Sequence, residues 1–349
     1  MPVSIVLPVV TGLMSLIAVG LSIYTFSIQR GDTSYADVDK MYADLLRISL
    51  QDPDLRVFDK TATFYKLSDK DPSRVKYETY AFMVWNLMET IYDRQKDRRG
   101  RFRLSETWIP AMIEENRLHY TWFKHNLRLF KDEFQRFVTE KLNDINVTEG
   151  TLADLDEVYP RLVRDFPPAE RLERSRVEFL MSKRRYRLIL ARHRLFDHVL
   201  GYAFIFEPES PQVTWLDYMG IESRFQNSGY GTLMFNKIAQ MRQPDNLGVF
   251  LEVEPINSED PRAREDQERR IRFYERLGAK RLDVPYQLPT TTDSLPMHLM
   301  FRPSSGVHLL PKEVIREAIA SAFEYIHSDA PHRDALYKGF IHAIRDETL

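Results

Sequence analysis

The chain has 349 residues, of which 43% are hydrophobic, and this is enough to fill more than one packed core. A formal net charge of −2 gives no overall attraction to nucleic acid, and the basic runs are interleaved with acidic residues. The absence of cysteine excludes disulfides, thiolate metal sites and a cysteine nucleophile. We therefore expect several domains, no nucleic-acid partner, and chemistry based on oxygen and nitrogen groups.

The N-terminal segment carries no charged side chain from Pro2 to Ile28. About twenty apolar helical residues cover a hydrocarbon core of about 30 Å, so residues 3–28 are long enough to cross a bilayer once. A cleaved signal peptide is the alternative, but no Lys or Arg precedes the apolar run. Cationic residues begin at Arg30, and they favour the cytoplasmic side. We expect residues 1–30 to be a single-pass anchor in the cell inner membrane or plasma membrane, with the rest of the chain in the cytoplasm.

Residues 31–145 have the apolar spacing of helices. Amphipathic stretches cover residues 35–50, 77–92, 105–115 and 127–142. Three of the four tryptophans lie in this segment: Trp85, Trp108 and Trp122. An aromatic stripe at helical spacing is typical of a packed core, and a ligand cage is the alternative. We predict an all-helical domain.

From residue 146 onwards the pattern changes to short strands that alternate with helices. The predicted strands are 187–191, 200–206, 213–221, 249–253 and 297–301, and the predicted helices are 152–163, 171–181, 232–241 and 269–277. This order predicts a mixed α/β layer over residues 146–303. Residues 304–349 form a predicted C-terminal helical extension, with helices over 311–326 and after Pro331.

A turn with two glycines, Gly229 and Gly231, connects the predicted strand 213–221 to the predicted helix 232–241. The backbone N–H groups at a helix start are unpaired and carry the positive end of the helix dipole, so they suit a pyrophosphate. Glycines allow a ligand to approach the backbone closely, although the same spacing also occurs in plain tight turns. The turn predicts a phosphorylated cofactor.

The order of these elements is more specific than any one of them. Gln226–Gly231 fits the pattern Gln/Arg-x-x-Gly-x-Gly, and the last helix of the layer closes on Phe273, Tyr274, Glu275, Arg276, Leu277 and Gly278. In this order the sequence resembles the GCN5-related N-acetyltransferase (GNAT) superfamily over residues 145–303. The resemblance implies the α/β GNAT fold, a mixed central sheet flanked by helices. The family's asparagine before the closing helix has no clear counterpart apart from Asn257, because a charged insert follows at residues 258–270.

The resemblance also implies acetyl-coenzyme A (acetyl-CoA) as co-substrate, with two sets of contacts. Backbone groups of Met219, Gly220 and Ile221 would bind the pantetheine arm. The pyrophosphate would lie on the amides of the glycine turn, where Arg224 adds positive charge. The residues of this turn are Gln226, Asn227, Ser228, Gly229, Tyr230, Gly231 and Thr232.

The implied reaction is direct attack of an amine on the thioester carbonyl within a ternary complex, which requires an acid for the departing thiolate. Tyr274 occupies the position of a tyrosine that in many family members lies near the coenzyme sulfur. The resemblance therefore implies Tyr274 as the acid. The alternative is that Tyr274 only packs the helix against the sheet.

The reaction also requires a route for the ammonium proton, and three carboxylates on the central strands are candidates. Asp217 lies on one predicted strand, while Glu252 and Glu254, two residues apart, share one face of the next. Burial of an unpaired charge costs several kcal/mol, so these groups line a cleft or meet a partner. Pairing with an arginine such as Arg192 or Arg269 is the equal alternative.

The sequence thus predicts a membrane-anchored N-acetyltransferase that moves an acetyl group from acetyl-CoA to an amine, on a small molecule or a protein. The alternative is a catalytically silent GNAT-fold binding or regulatory module at the membrane. No metal is expected, because the polar residues after the predicted helix 311–326 are placed to cap and solvate its end. These residues are His327, Asp329, His332 and Asp334. The acceptor, the acyl-chain preference, the role of the helical domain and the oligomeric state stay open.

Overall fold

The computed structural model describes residues 36–64, 66–94, 108–195, 198–226, 228–241 and 245–349. The chain divides into two compact units, residues 1–138 and 139–349. The predicted membrane anchor, residues 1–30, lies outside the described residues. None of the helices in the described part of the chain has both the length and the apolar character that a bilayer crossing requires.

The first unit is built from helices. Helix α1 covers residues 36–51 and is followed by α2 (Phe58–Phe64), α3 (Pro72–Arg94), α4 (Trp108–His125) and α5 (Asp132–Phe137), with 3-10 turns at Pro53–Arg56 and Leu127–Leu129. Helix α4 continues well past Glu115, where the sequence indicated its end. Pro110 lies in the first turn of α4, where a missing N–H breaks no intrahelical bond, so the proline does not interrupt the helix.

Aromatic side chains fill the core of the first unit. The buried Trp85 stacks on Phe123, with 4.0 Å between ring centroids, and meets Phe134 edge-on at 6.1 Å. Its indole N–H donates to the carbonyl of His119 at 3.1 Å. The aromatic stripe predicted on these helices therefore packs as core.

The described residues of this unit include a buried ion pair. Glu115 of α4 is only 3% exposed, and its Oε1 lies 2.8 Å from Nη1 of Arg56 and accepts a hydrogen bond from the hydroxyl of Tyr42 at 3.3 Å. Burial raises the pKa of the Glu115 carboxyl, while the charge of Arg56 opposes that rise. The pair connects α1, the turn after it and α4.

The second unit is built on a seven-stranded sheet. In sheet order the strands are β1 (Ile145–Glu149), β2 (Tyr186–His193), β3 (Val199–Phe206), β4 (Thr214–Ile221), β5 (Gly248–Val253), β9 (His298–Pro303) and β6 (Lys280–Arg281). Neighbouring strands are antiparallel at every junction but one, and the exception is the parallel pair of β4 and β5. The sheet is therefore mixed, as the resemblance implied.

Helices cover both faces of this sheet. One face carries α6 (Leu155–Asp165), α7 (Arg174–Ser182), α10 (Lys312–Tyr325) and α11 (Arg333–Phe340), which share one hydrophobic core with β2, β3, β4, β5 and β9. The other face carries α8 (Tyr230–Gln240) and α9 (Pro261–Arg276), and there Met234 lies against Gly201 of β3. The C-terminal helices thus complete the core of the sheet unit.

Short elements connect these layers. They are the two-stranded pairs β7 (Gln287–Pro289) with β8 (Ser294–Pro296) and β10 (Leu309–Leu310) with β11 (Glu347–Thr348), the 3-10 turns Leu152–Asp154, Ser223–Phe225 and Ile341–Ala343, and a π-helical turn at Val138–Leu142. The charged stretch expected as an insert at residues 258–270 is mostly helical. Asp260 caps α9 by accepting from the amide of Arg262 at 3.0 Å, and Pro261 takes the first helical position.

Candidate active site

The parallel strands β4 and β5 separate halfway along their length. Their ladder holds three pairs and ends at Leu216 and Leu251, whereas β4 continues to Ile221 and stays paired with β3 along that stretch. The edge of β4 that faces β5 is therefore outside the ladder from residue 217 onwards. The backbone groups of Met219, Gly220 and Ile221 lie along this gap, the place that the resemblance implies for a pantetheine arm.

The N-terminus of α8 is open. Gly229, the residue before the helix, has a φ of +84°, which an L-residue rarely adopts. Its two chain neighbours aside, no described residue has an atom within 4 Å of the place where a Cβ would stand. In the described part of the chain, no side chain caps this helix end. The first amides of α8 are thus available to an anion, and this geometry fits a pyrophosphate.

The other residues of the turn have distinct roles. Tyr230 turns its buried side chain inward and donates to the carbonyl of Leu142 at 3.3 Å, so only its backbone is available to a ligand. The side-chain amide of Gln226 donates to the carbonyl of Ile221 at 3.0 Å, which ties the turn to the end of β4. Asn227 and the side chain of Arg224 lie outside the described residues.

Two carboxylates lie at the point of separation. Asp217 follows Leu216 and accepts a hydrogen bond from the hydroxyl of Tyr186, and Glu252 follows Leu251 and accepts one from the hydroxyl of Tyr286. Burial raises the pKa of Asp217 to about 7, and burial together with the charge of Asp217 raises the pKa of Glu252 to about 8. The pair therefore exchanges protons near neutral pH, as a general base must.

Glu254 has a different environment. Strand β5 ends at Val253, so Glu254 lies just beyond it, where it forms an ion pair with Arg270 of α9. The two arginines considered from the sequence have other partners: Arg192 pairs with Asp154 at 3.3 Å and Arg269 with Asp266 at 2.9 Å. Of these two glutamates, Glu254 therefore pairs with an arginine, whereas Glu252 accepts a hydrogen bond from a tyrosine.

The loop between α6 and α7 is attached to β4 and brings a further carboxylate, Glu170, near Glu252. The hydroxyl of Tyr218 donates to the carbonyl of Glu170 at 2.8 Å and accepts from the amide of Leu172 at 3.1 Å, which fixes this loop on β4. Burial raises the pKa of Glu170, and the charge of Glu170 adds to the rise in the pKa of Glu252. The sequence pattern did not identify Glu170, because its loop has no periodicity that predicts where it folds.

Tyr274 lies in α9 and is 8% exposed, with its ring against Phe235 at 5.2 Å and Phe273 at 5.0 Å. Burial raises the pKa of its hydroxyl to about 12, and the charges of Arg270 and Glu254 both act on it. The hydroxyl is therefore protonated at neutral pH. No other described residue forms a hydrogen bond with it, so the proton is available for donation.

The described residues contain no group of three His, Asp or Glu side chains arranged to hold a metal. His327, one of the residues considered from the sequence, is buried, and burial lowers its pKa to about 3.

Residues 155–279 match the model of the acetyltransferase (GNAT) family. The second unit carries a GNAT acetyltransferase domain. The predicted GNAT fold, with a mixed sheet flanked by helices and a helical N-terminal region, is thereby confirmed. No curated protein matches the chain.

Several solved structures resemble the GNAT domain. A protein from Bacteroides thetaiotaomicron assigned to the GNAT family is 22% identical, with a TM-score of 0.43 over 53% of this chain and 99% of its own. Arabidopsis thaliana NAA60, solved with acetyl-CoA, is 14% identical, with a TM-score of 0.36 over 47% of this chain and 100% of its own. A chimera of spermidine N-acetyltransferase SpeG from Vibrio cholerae and hSSAT is 11% identical, with a TM-score of 0.36 over 46% of this chain and 95% of its own.

Proposed function

We propose that the protein is an N-acetyltransferase that moves an acetyl group from acetyl-CoA to an amine by direct attack. The observation that carries the proposal is the carboxylate pair Asp217 and Glu252, which lies where β4 and β5 separate and has pKa values raised to about 7 and about 8. A half-buried acidic pair of this kind costs stability, and groups with such raised pKa values cluster at functional sites.

Acetyl-CoA would supply the acetyl group as an activated thioester. The amides of Tyr230, Gly231 and Thr232, at the uncapped start of α8, are the groups that would hold its pyrophosphate. Gly229 leaves open space beside these amides. The edge of β4 at residues 219–221, which is outside the ladder with β5, would bind the pantetheine arm through backbone hydrogen bonds, as a sheet edge binds an added strand.

The protons move at two places. Glu252, with Asp217 beside it, takes one proton from the acceptor's ammonium group, which frees the nitrogen lone pair to form the new C–N bond. As the C–S bond breaks, the hydroxyl of Tyr274 donates its proton to the thiolate sulfur. As the tetrahedral intermediate collapses, the nitrogen loses its second proton, and this proton restores the Tyr274 hydroxyl. Glu252 releases the first proton to solvent, so the reaction yields one free proton overall.

The acceptor end of the site is acidic. The charges of Asp217 and Glu170 both act on Glu252, and Arg270, which also acts on Glu170, is paired with Glu254. This charge favours an acceptor that arrives as a cation, either a small amine or an amino group of a protein.

The apolar segment at residues 3–28 supports a single-pass anchor, with the helical unit and the GNAT domain in the cytoplasm. This topology would confine acetylation to acceptors near the membrane. Extraction of cell membranes with alkaline carbonate tests it, since an anchored chain stays with the lipid and a peripheral one is released. Release would contradict the anchor.

The activity is tested by measuring free coenzyme A released by the full-length protein in detergent with a panel of amines. The matched control is Asp217→Asn with Glu252→Gln, which keeps the shape of the site and removes its bases. Turnover that depends on the amine and is lost in the control supports the proposal. Acetyl-CoA binding without turnover of any amine between pH 6 and about 9 would support the silent binding module instead.

A further inference from the structure

Tyr286 lies outside the segment that matches the GNAT family model, between β6 and β7. It is 2% exposed, and its hydroxyl donates to Oε1 of Glu252 across 34 positions of the sequence. This hydrogen bond holds one oxygen of the Glu252 carboxylate, and the indole of Trp215 also stabilises the carboxylate.

The ring of Tyr286 is held by the C-terminal helices. Its centroid lies 5.9 Å from that of Phe323 in α10 and 5.9 Å from that of Phe340 in α11. On its third side Trp215 of β4 lies at 6.3 Å. Buried aromatic rings in such contacts have little freedom to shift, so α10 and α11 set the position of the hydroxyl.

We propose that Tyr286 is a positioning residue for Glu252, and that the C-terminal helices α10 and α11 are therefore part of the acceptor end of the active site. The proposal rests on the proposed acetyltransferase function. It assigns a role to residues 304–349, which lie outside the family match.

The hydrogen bond has a defined electrostatic effect. Burial and the charges of Asp217 and Glu170 raise the pKa of Glu252, whereas the hydroxyl of Tyr286 and, to a smaller extent, the indole of Trp215 lower it by stabilising the carboxylate. Loss of the Tyr286 hydroxyl removes the larger of these two opposing effects, so Glu252 becomes a base only at higher pH. If Tyr286 had only a structural role, loss of its hydroxyl would change the free energy of unfolding and leave the pH profile of activity unmoved.

The experiment compares pH profiles of kcat/KM for the full-length wild type and Tyr286→Phe, which keeps the ring and removes the donor. We expect the rising limb to move up by about one pH unit and kcat to fall by about tenfold, as for loss of one hydrogen bond to a charged group. Phe340→Leu, which loosens the ring without touching Glu252, moves the limb in the same direction by less. Tyr325→Phe is the matched control, because Tyr325 lies on α10 with its ring stacked on Phe206 at 4.6 Å.

A second readout does not depend on turnover. Carbodiimide modifies protonated carboxyl groups, so the pH midpoint of Glu252 labelling, measured by peptide mass spectrometry, moves up in Tyr286→Phe and stays in Tyr325→Phe. Unchanged midpoints and an unchanged profile in Tyr286→Phe would overturn the proposal. If the wild type shows no turnover but Tyr286→Phe still moves the labelling midpoint, the coupling of Tyr286 to Glu252 stands and only the acetyltransferase function is overturned.

Discussion

Asp217 and Glu252 lie on two parallel strands, and each comes directly after the last pair of residues that the ladder joins, Leu216 and Leu251. A sheet tolerates two acidic groups there because the strands separate at this point and each carboxylate accepts a hydrogen bond from a tyrosine. The same separation opens the edge of β4 to a ligand. The separation of β4 and β5 therefore places the carboxylate pair beside the edge of β4 that is open to a ligand.

The first prediction concerns the pH dependence of activity. Because the pKa values of Asp217 and Glu252 are raised to about 7 and about 8, the carboxylate pair gains its full negative charge only above that range. We expect kcat/KM to rise with pH through this window, as two coupled groups titrate. Initial rates at saturating acetyl-CoA between pH 5.5 and about 9.5 check it. A profile already flat from pH 5.5 upward would rule out this pair as the base.

The second prediction concerns stability. The folded-state pKa of Glu252 is raised above its ordinary value, so the native state binds more protons between pH 4.5 and about 8, and the stability contributed by this group is lost as pH rises through that window. Glu252→Gln removes the loss. At pH 8.5 we expect the variant to melt above the wild type, by roughly 2–4 °C for each kcal/mol gained in the free energy of unfolding, and to be inactive.

The matched control for this variant is Glu265→Gln, a similar change at an exposed position of α9. It should leave the melting temperature unchanged at both pH 5 and pH 8.5. A Glu252→Gln protein that melts below the wild type at pH 8.5 would show that the Glu252 carboxylate stabilises the fold.

The third prediction concerns Tyr274. Tyr274→Phe keeps the ring that packs on Phe235 and removes the proton donor, so kcat should fall by roughly 100-fold while the Kd for acetyl-CoA stays unchanged. Steady-state rates and a binding titration separate the two quantities. Tyr337→Phe is the control, because the Tyr337 hydroxyl only donates to the carbonyl of Arg316 at 3.1 Å. Equal kcat values for the two variants would remove Tyr274 from the mechanism.

The fourth prediction concerns the helical unit. Arg56→Met leaves the buried Glu115 without its cation and should lower the free energy of unfolding by about 3–5 kcal/mol, as measured by urea unfolding. Arg47→Met breaks an ion pair with Asp44 whose side chains are 72% and 50% exposed, and should cost about 1 kcal/mol or less. Similar losses from both variants would mean that the buried pair contributes no more than an exposed one.

The sequence predicted the strands well where local pattern decides them. The expected strand 200–206 is observed at Val199–Phe206, and the carboxylates on the central strands stood out because charge is unusual there. The start of α9 was missed, because its charged residues lack apolar periodicity, although Asp260 and Pro261 are a helix-start signature.

The tyrosines that hold the carboxylates were not predictable. Tyr186 and Tyr286 lie 31 and 34 positions from their partners, and in the sequence each resembles an ordinary core aromatic. Which hydroxyl meets which carboxylate depends on the register of the whole sheet and on the packing of α10 and α11. Local propensity contains no information about either.

The central claim is that acetyl-CoA binds at the start of α8, and calorimetric titration of acetyl-CoA into the full-length protein in detergent tests it most directly. Gly229 and Gly306 have the same φ of +84° and the same open space, so Gly229→Ala and Gly306→Ala carry equal backbone strain at different places. We expect saturable binding by the wild type and by Gly306→Ala, and binding at least about tenfold weaker by Gly229→Ala, because its methyl group enters the space beside the α8 amides. No saturable binding by the folded wild type, or equal affinities for the two variants, would contradict the account.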